Sequence, residues 1–132
     1  MSDFTIKNLF DDLDNAATGR MAEGTVLDAR FGRGALESVH LGVSYFRYAP
    51  GGRAPFGHSH GEQEEVYVVL DGSGRVRLGD EFRDLRKWDL VRVAPSTVRG
   101  FEAGPDGLEM LAVGSDRPEG GDGNMVNDFW DD

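Results

Sequence analysis

The stretch Gly52-Arg53-Ala54-Pro55-Phe56-Gly57-His58-Ser59-His60-Gly61-Glu62-Gln63-Glu64-Glu65-Val66-Tyr67-Val68-Val69-Leu70-Asp71-Gly72 decides how this chain is read. Its second half, Glu65–Leu70, is β-branched and aromatic and runs into an Asp-Gly turn signal, which predicts a strand. Its first half is extended, with His58 and His60 at i and i+2. Side chains at that spacing point to the same face of an extended chain. Glu65 follows after a short loop and can join them. Two imidazoles and one carboxylate facing one point are a common ligand set for a divalent transition metal.

Working outward, short strands recur between Gly and Pro breaks. Thr25–Phe31, Ser38–Tyr48, Arg75–Leu78, Glu81–Leu85, Leu90–Val93, Val98–Glu102 and Leu108–Val113 all read as strands. Gly32-Arg33-Gly34 and Asp71-Gly72-Ser73-Gly74 read as turns, and Gly79-Asp80 turns a hairpin. Thr5-Ile6-Lys7 reads as a short strand, and Asn8 caps a helical turn to Leu13. This spacing of strands predicts a single all-β domain, a sandwich or barrel. Residues 1–35 form an N-terminal segment, 36–114 the barrel, and 115–132 a loose acidic, Gly/Asp-rich tail. Phe129 and Trp130 near the end of that tail are expected to dock on the barrel or on a second subunit.

In Glu65–Leu70, Val66, Val68 and Leu70 share one face, while Tyr67 and Val69 share the other with Glu65. An antiparallel strand at a monomer surface normally keeps one polar face. Two apolar faces imply a cover, from the N-terminal segment or a partner chain, and a homodimer is the simplest expectation.

Composition narrows the function. The formal net charge is −10, which disfavours nucleic acid and anionic membranes as partners. With no cysteine, thiolate metal sites and nucleophiles are excluded, so a metal must be held by His, carboxylate, amide or water. Met1-Ser2-Asp3-Phe4 shows no basic or apolar leader, and the apolar runs are too short to cross a bilayer, so the expected location is the cytoplasm. His40 reads as a structural histidine, Glu62 and Glu64 as solvated loop charges, and Trp88 as packing at a turn. No dinucleotide fingerprint, P-loop or nucleophile elbow is present.

The segment Gly52–Gly72 resembles the first motif of the cupin superfamily: Gly, five residues, His-x-His, three or four residues, Glu, six residues, Gly. Gly52, His58, His60, Glu65 and Gly72 fit every spacing, and Glu64 does not. Trp88-Asp89-Leu90-Val91-Arg92-Val93-Ala94-Pro95-Ser96-Thr97-Val98-Arg99-Gly100-Phe101 occupies the place of the second motif. There Trp88 and Ser96 replace glycines, and Arg99 stands where the family places its last metal-binding His. The resemblance implies a cupin-type jelly-roll β-barrel (a double-stranded β-helix) with a pocket inside one end.

Arginine is always cationic and does not ligate metals. His58, His60 and Glu65 remain as a set for Fe, Mn, Ni or Zn, with open positions for substrate. An inward Arg99 would instead pair with Glu65 and compete with the metal, leaving the site metal-free, or would bind a ligand carboxylate or phosphate. The expected pocket is lined by His58, His60, Glu65, Arg99, Tyr67 and Phe101. Two functions follow: a protein that binds a small polar or anionic molecule, or a metal-dependent dioxygenase or isomerase.

Overall fold

The computed structural model of the chain describes residues 3–18 and 26–130. Thr25, at the head of the first expected strand, and Met1-Ser2 lie outside the described residues. The elements are β1 Val26–Phe31, α1 Arg33–Leu36, β2 Gly42–Tyr48, β3 Gly57–His60, β4 Glu65–Leu78, β5 Glu81–Arg86, β6 Leu90–Val93, β7 Arg99–Gly114 and β8 Gly123–Val126. All pairings are antiparallel, in one curled sheet ordered β1-β2-β7-β3-β8, with β4 branching from β7 and β5 and β6 each pairing with β4. The result is a jelly-roll barrel, the expected all-β fold.

The spine of the barrel is the ribbon of β4 and β7, paired from Glu65↔Gly114 to Leu78↔Arg99. Asp71-Gly72-Ser73-Gly74 does not reverse the chain, contrary to the expected turn. The strand passes through it, with register shifts between Val69 and Asp71 and between Gly72 and Gly74. Bulges bend a strand and increase its twist, which lets a long ribbon wrap around a barrel. Gly72 has φ +76°, and a Cβ there would lie 2.1 Å from the Gly107 carbonyl oxygen. No other residue fits that bend.

Four further expectations change. Thr5–Lys7 has no strand partner, although Asn8 does cap the next turn, its Oδ1 accepting from the Phe10 and Asp11 amides at 3.0 Å. Gly32-Arg33-Gly34 opens the short helix α1 instead of a plain turn. Residues 38–41 bend before β2 begins, with the Leu41 amide donating to Ser38 Oγ. The tail is not loose: β8 pairs with β3, from Gly57↔Val126 to His60↔Gly123. The Gly79-Asp80 hairpin forms as expected, with Leu78 opposite Glu81.

The interior follows strand parity. Tyr67 faces Ala112, Val69 faces Met110, and Val76 faces Phe101 across the ribbon, all buried. Tyr67 and Phe101 pack ring to ring at 4.6 Å. Phe129 docks on the barrel and is buried, and Trp130 Nε1 donates to the Ala54 carbonyl at 2.7 Å. Their berth is cut from backbone, because a Cβ at Gly57 or Gly100 would meet Phe129 at 2.6 or 2.9 Å. Trp88 sits at a turn with φ +74° and remains two-thirds exposed, its ring contacted only by Lys87 Nζ among the described aromatic and cation contacts.

Candidate metal and ligand site

β3 presents His58 and His60 and β4 begins with Glu65, so one loop joins the two strands that carry the donors. The strand periodicity places both rings on one face, 5.1 Å apart between centroids. His60 Nε2 lies 3.1 Å and His58 Nε2 3.5 Å from Glu65 Oε1. One ligand atom from each of the three residues lies within 4.8 Å of the others.

Arg99 is fully buried behind this group. It opposes His58 in the β3–β7 pairing. Nη2 donates to Glu65 Oε1 at 3.0 Å, Nε to Tyr67 Oη at 3.3 Å, and Nη1 to the Pro95 and Thr97 carbonyls at 3.2 and 2.8 Å. Tyr67 Oη donates to the same Glu65 oxygen at 2.6 Å. Every described polar contact of the Glu65 carboxylate therefore falls on Oε1, and Oε2 has no hydrogen-bond partner among the described residues. Burial works to raise the Glu65 carboxyl, but His58, Tyr67, Arg99 and His60 outweigh it and hold it at about 2. Burial, and then the Glu65 charge, push the Tyr67 phenol up, so it stays a donor.

His60 has a second anchor that sequence reasoning missed. Its Nδ1 meets Asp122 Oδ1 at 2.9 Å, while Asp122 Oδ2 accepts the Glu62 and Gln63 amides at 2.6 and 2.8 Å. A carboxylate on one ring nitrogen orients the ring and turns the other nitrogen toward the site, as outer carboxylates do for metal-ligating histidines. Nothing local marks Asp122 in the sequence, because it reaches His60 only through the β3–β8 pairing.

The donor set fits a divalent metal. Two imidazole nitrogens and one carboxylate are available, and Asp122 holds one ring. Both imidazoles face Oε1, the Glu65 oxygen that Arg99 and Tyr67 also hold, so Arg99 and a metal meet at one atom.

A cavity of about 300 Å³ opens beside the triad. His58, His60, Glu65, Tyr67 and Phe101 line it, and Arg99 does not. Arg99 spends its donors on Glu65, Tyr67 and two carbonyls, leaving the wall to others. Phe46, Tyr48, Phe56, Met110 and Ala112 supply most of the apolar surface, with Arg33, Gln63 and Arg117 among the polar lining. Phe46 and Tyr48 were legible from the alternation of β2, whereas Arg33 and Arg117 carry no local signal. His40 pairs with Asp116 on the surface and is outside the donor group. Glu62 is exposed, and Glu64 is exposed and paired with Arg92.

Comparison with known proteins agrees with the fold. The family model described as Cupin domain matches residues 44–114. A cupin protein from Bacteroides fragilis superposes with TM-score 0.71 at 22% identity, covering 90% of this chain and 89% of its own. Oxalate decarboxylase of Bacillus subtilis superposes with TM-score 0.71 at 25% identity, over 92% of this chain but 33% of its own. Salicylate 1,2-dioxygenase of Pseudoaminobacter salicylatoxidans superposes with TM-score 0.53 at 21% identity, over 58% of this chain and 21% of its own. No curated protein sequence matches the chain. No helix among the described residues is long and apolar enough to cross a membrane.

Proposed function

The chain belongs to the cupin-domain family, and from that premise we propose that it binds a small organic molecule in the barrel cavity beside a divalent transition metal. The observation that carries this reading is the convergence of His58, His60 and Glu65 on one point at the wall of the cavity. His58, His60 and Glu65 would hold the metal. Once bound, it supplies a Lewis acid with positions open to a ligand. Arg99 and Tyr67 keep Glu65 ionised and fixed, and Asp122 fixes the His60 ring.

Elemental analysis of protein prepared without a nickel column, before and after adding Fe, Mn, Ni or Zn, tests the reading. Near-stoichiometric content of one metal, lost in His58→Ala, is expected. Sub-stoichiometric content of all four, with no gain on addition, overturns it.

A second reading makes the same centre catalytic, as a dioxygenase or isomerase. The likeness to oxalate decarboxylase favours it, whereas the salicylate dioxygenase shares the fold alone. A metal whose spin-resonance signal changes on adding ligand has open positions and keeps this reading. A saturated metal removes it.

A further inference from the structure

In a chain of net charge −10, the cavity is lined by two arginines and one acid. The arginines are Arg33 from α1 and Arg117 from the segment after β7; the acid is Glu65, which Arg99 already matches. Arg33 donates Nη2 to the Ser115 carbonyl at 2.8 Å. Arg117 makes no hydrogen bond or ion pair among the described residues, and no described carboxylate pairs with either guanidinium. Of the acids near these arginines in sequence, Asp116 meets His40 and Asp122 meets His60 and two amides, while Glu37 and Glu119 make no described contact with either guanidinium. Arg33 is half-buried and Arg117 exposed, which puts these cations at the rim. Below them the wall is apolar, with Phe46, Tyr48, Phe56, Phe101, Met110 and Ala112.

We infer that the cavity takes an organic monocarboxylate, its carboxylate held at the rim by Arg117 and Arg33 and its apolar body lying against that wall. Guanidinium forks match carboxylates in charge and geometry. The volume of about 300 Å³ admits on the order of ten non-hydrogen atoms at roughly 30 Å³ each, the share of a water in the liquid. Arg99 does not compete for the anion, since each of its three nitrogens donates to a protein partner. The inference rests on the proposed cavity site but not on the metal being present.

Calorimetric titration of the full chain tests it with two acid–amide pairs: 3-phenylpropanoate with 3-phenylpropanamide, and hexanoate with hexanamide. At least one acid should bind about tenfold more tightly than its amide, since a hydrogen bond to a charged group is worth roughly 1.5–3 kcal/mol. Raising salt should weaken the acid and spare the amide. Arg117→Gln should remove most of the preference and Arg117→Lys should restore part of it. Arg117 is exposed, so both variants should melt with the parent, and a matching melting temperature confirms that the fold is intact. Equal affinity for acid and amide, an unaltered preference in Arg117→Gln, or no binding of either acid up to about 10 mM overturns the inference. Metal content of the same preparations is read separately. An acid preference in protein that takes up none of the four metals sinks the metal reading and leaves this one standing, and stoichiometric metal with no acid preference does the opposite.

Discussion

Glu65 shows how one side chain serves two demands. Its Oε1 is tied to a buried guanidinium and a phenol, and its Oε2 is left open. The sequence allowed a pairing of Arg99 with Glu65, which the structure contains, and put Glu65 rather than Glu64 beside the histidines. Which way Arg99 would point was not, because that depends on the Pro95 and Thr97 carbonyls closing around it. Glu65 and Asp122 also predict an acid dependence. Glu65 is held at about 2 against an ordinary 4.5: burial opposes ionisation, but His58, Tyr67, Arg99 and His60 prevail. Asp122 is held at about 2 against 3.8: burial again opposes, but the Glu62 and Gln63 amides and then His60 prevail. Both folded values are depressed, so the unfolded chain takes up protons first as pH falls. Their stabilisation is complete above the ordinary values and is lost as pH drops through about 2. Urea midpoints of the metal-free protein should decline across that window, and Asp122→Asn should flatten the decline. An unchanged slope in the variant would show that Asp122 is not held low.

At the scale of elements, the strands of the barrel were readable from alternation, but their ends, the absence of one at Thr5–Lys7 and the presence of β8 in the tail were not. Gly72-Ser73-Gly74 looks locally the same whether the chain reverses or kinks, and only the partner strand β7 makes it a kink. The tail failed for a related reason. Its Gly/Asp composition argues against order, but Gly57 and Gly100 clear a berth for Phe129, and Arg77 lies over that ring at 4.5 Å. Docking there brings β8 against the histidine strand and delivers Asp122 to His60. The tail thus acts as a wall of the site. Asp122→Ala should weaken metal binding about 10- to 100-fold, the usual cost of losing a carboxylate behind a ligand histidine. Phe129→Ala should cost about 3 kcal/mol of stability and weaken metal binding with it, as β8 loosens. Competition titration against a chromogenic chelator reads both. Unchanged affinity in the two variants would make the tail a cover and nothing more.

At the scale of the whole molecule, one sheet face remains apolar on the outside. Val43, Val113 and Val66 lie in one cross-strand row, and Leu111, Val68 and Leu90 in the next. Leu90 is 71% exposed, so the row is not closed by the chain itself. The N-terminal segment covers only part of this face, with Phe10 packing edge-on against Tyr45. The two apolar faces of Glu65–Leu70 were read from the sequence as the mark of a cover. The barrel interior accounts for one, and we propose a second copy for the other. Sedimentation over a concentration series should show a dimer, and Leu90→Asp with Val113→Asp should shift it to monomer. A monomer at every concentration would remove the proposal.

The pairing of His60 with Asp122 also sets an order of events in biosynthesis. A ribosome places His60 sixty-two residues before it reaches Asp122. Until then the ring has only Glu65 to orient it, and β3 has no β8 beside it. The barrel spine β4–β7 is complete by Gly114, before the site has all its parts. On the proposed metal reading, loading follows translation of the barrel, as a maturation step on a fold already made, and metal supply during growth should change the loaded fraction and not the yield of folded chain.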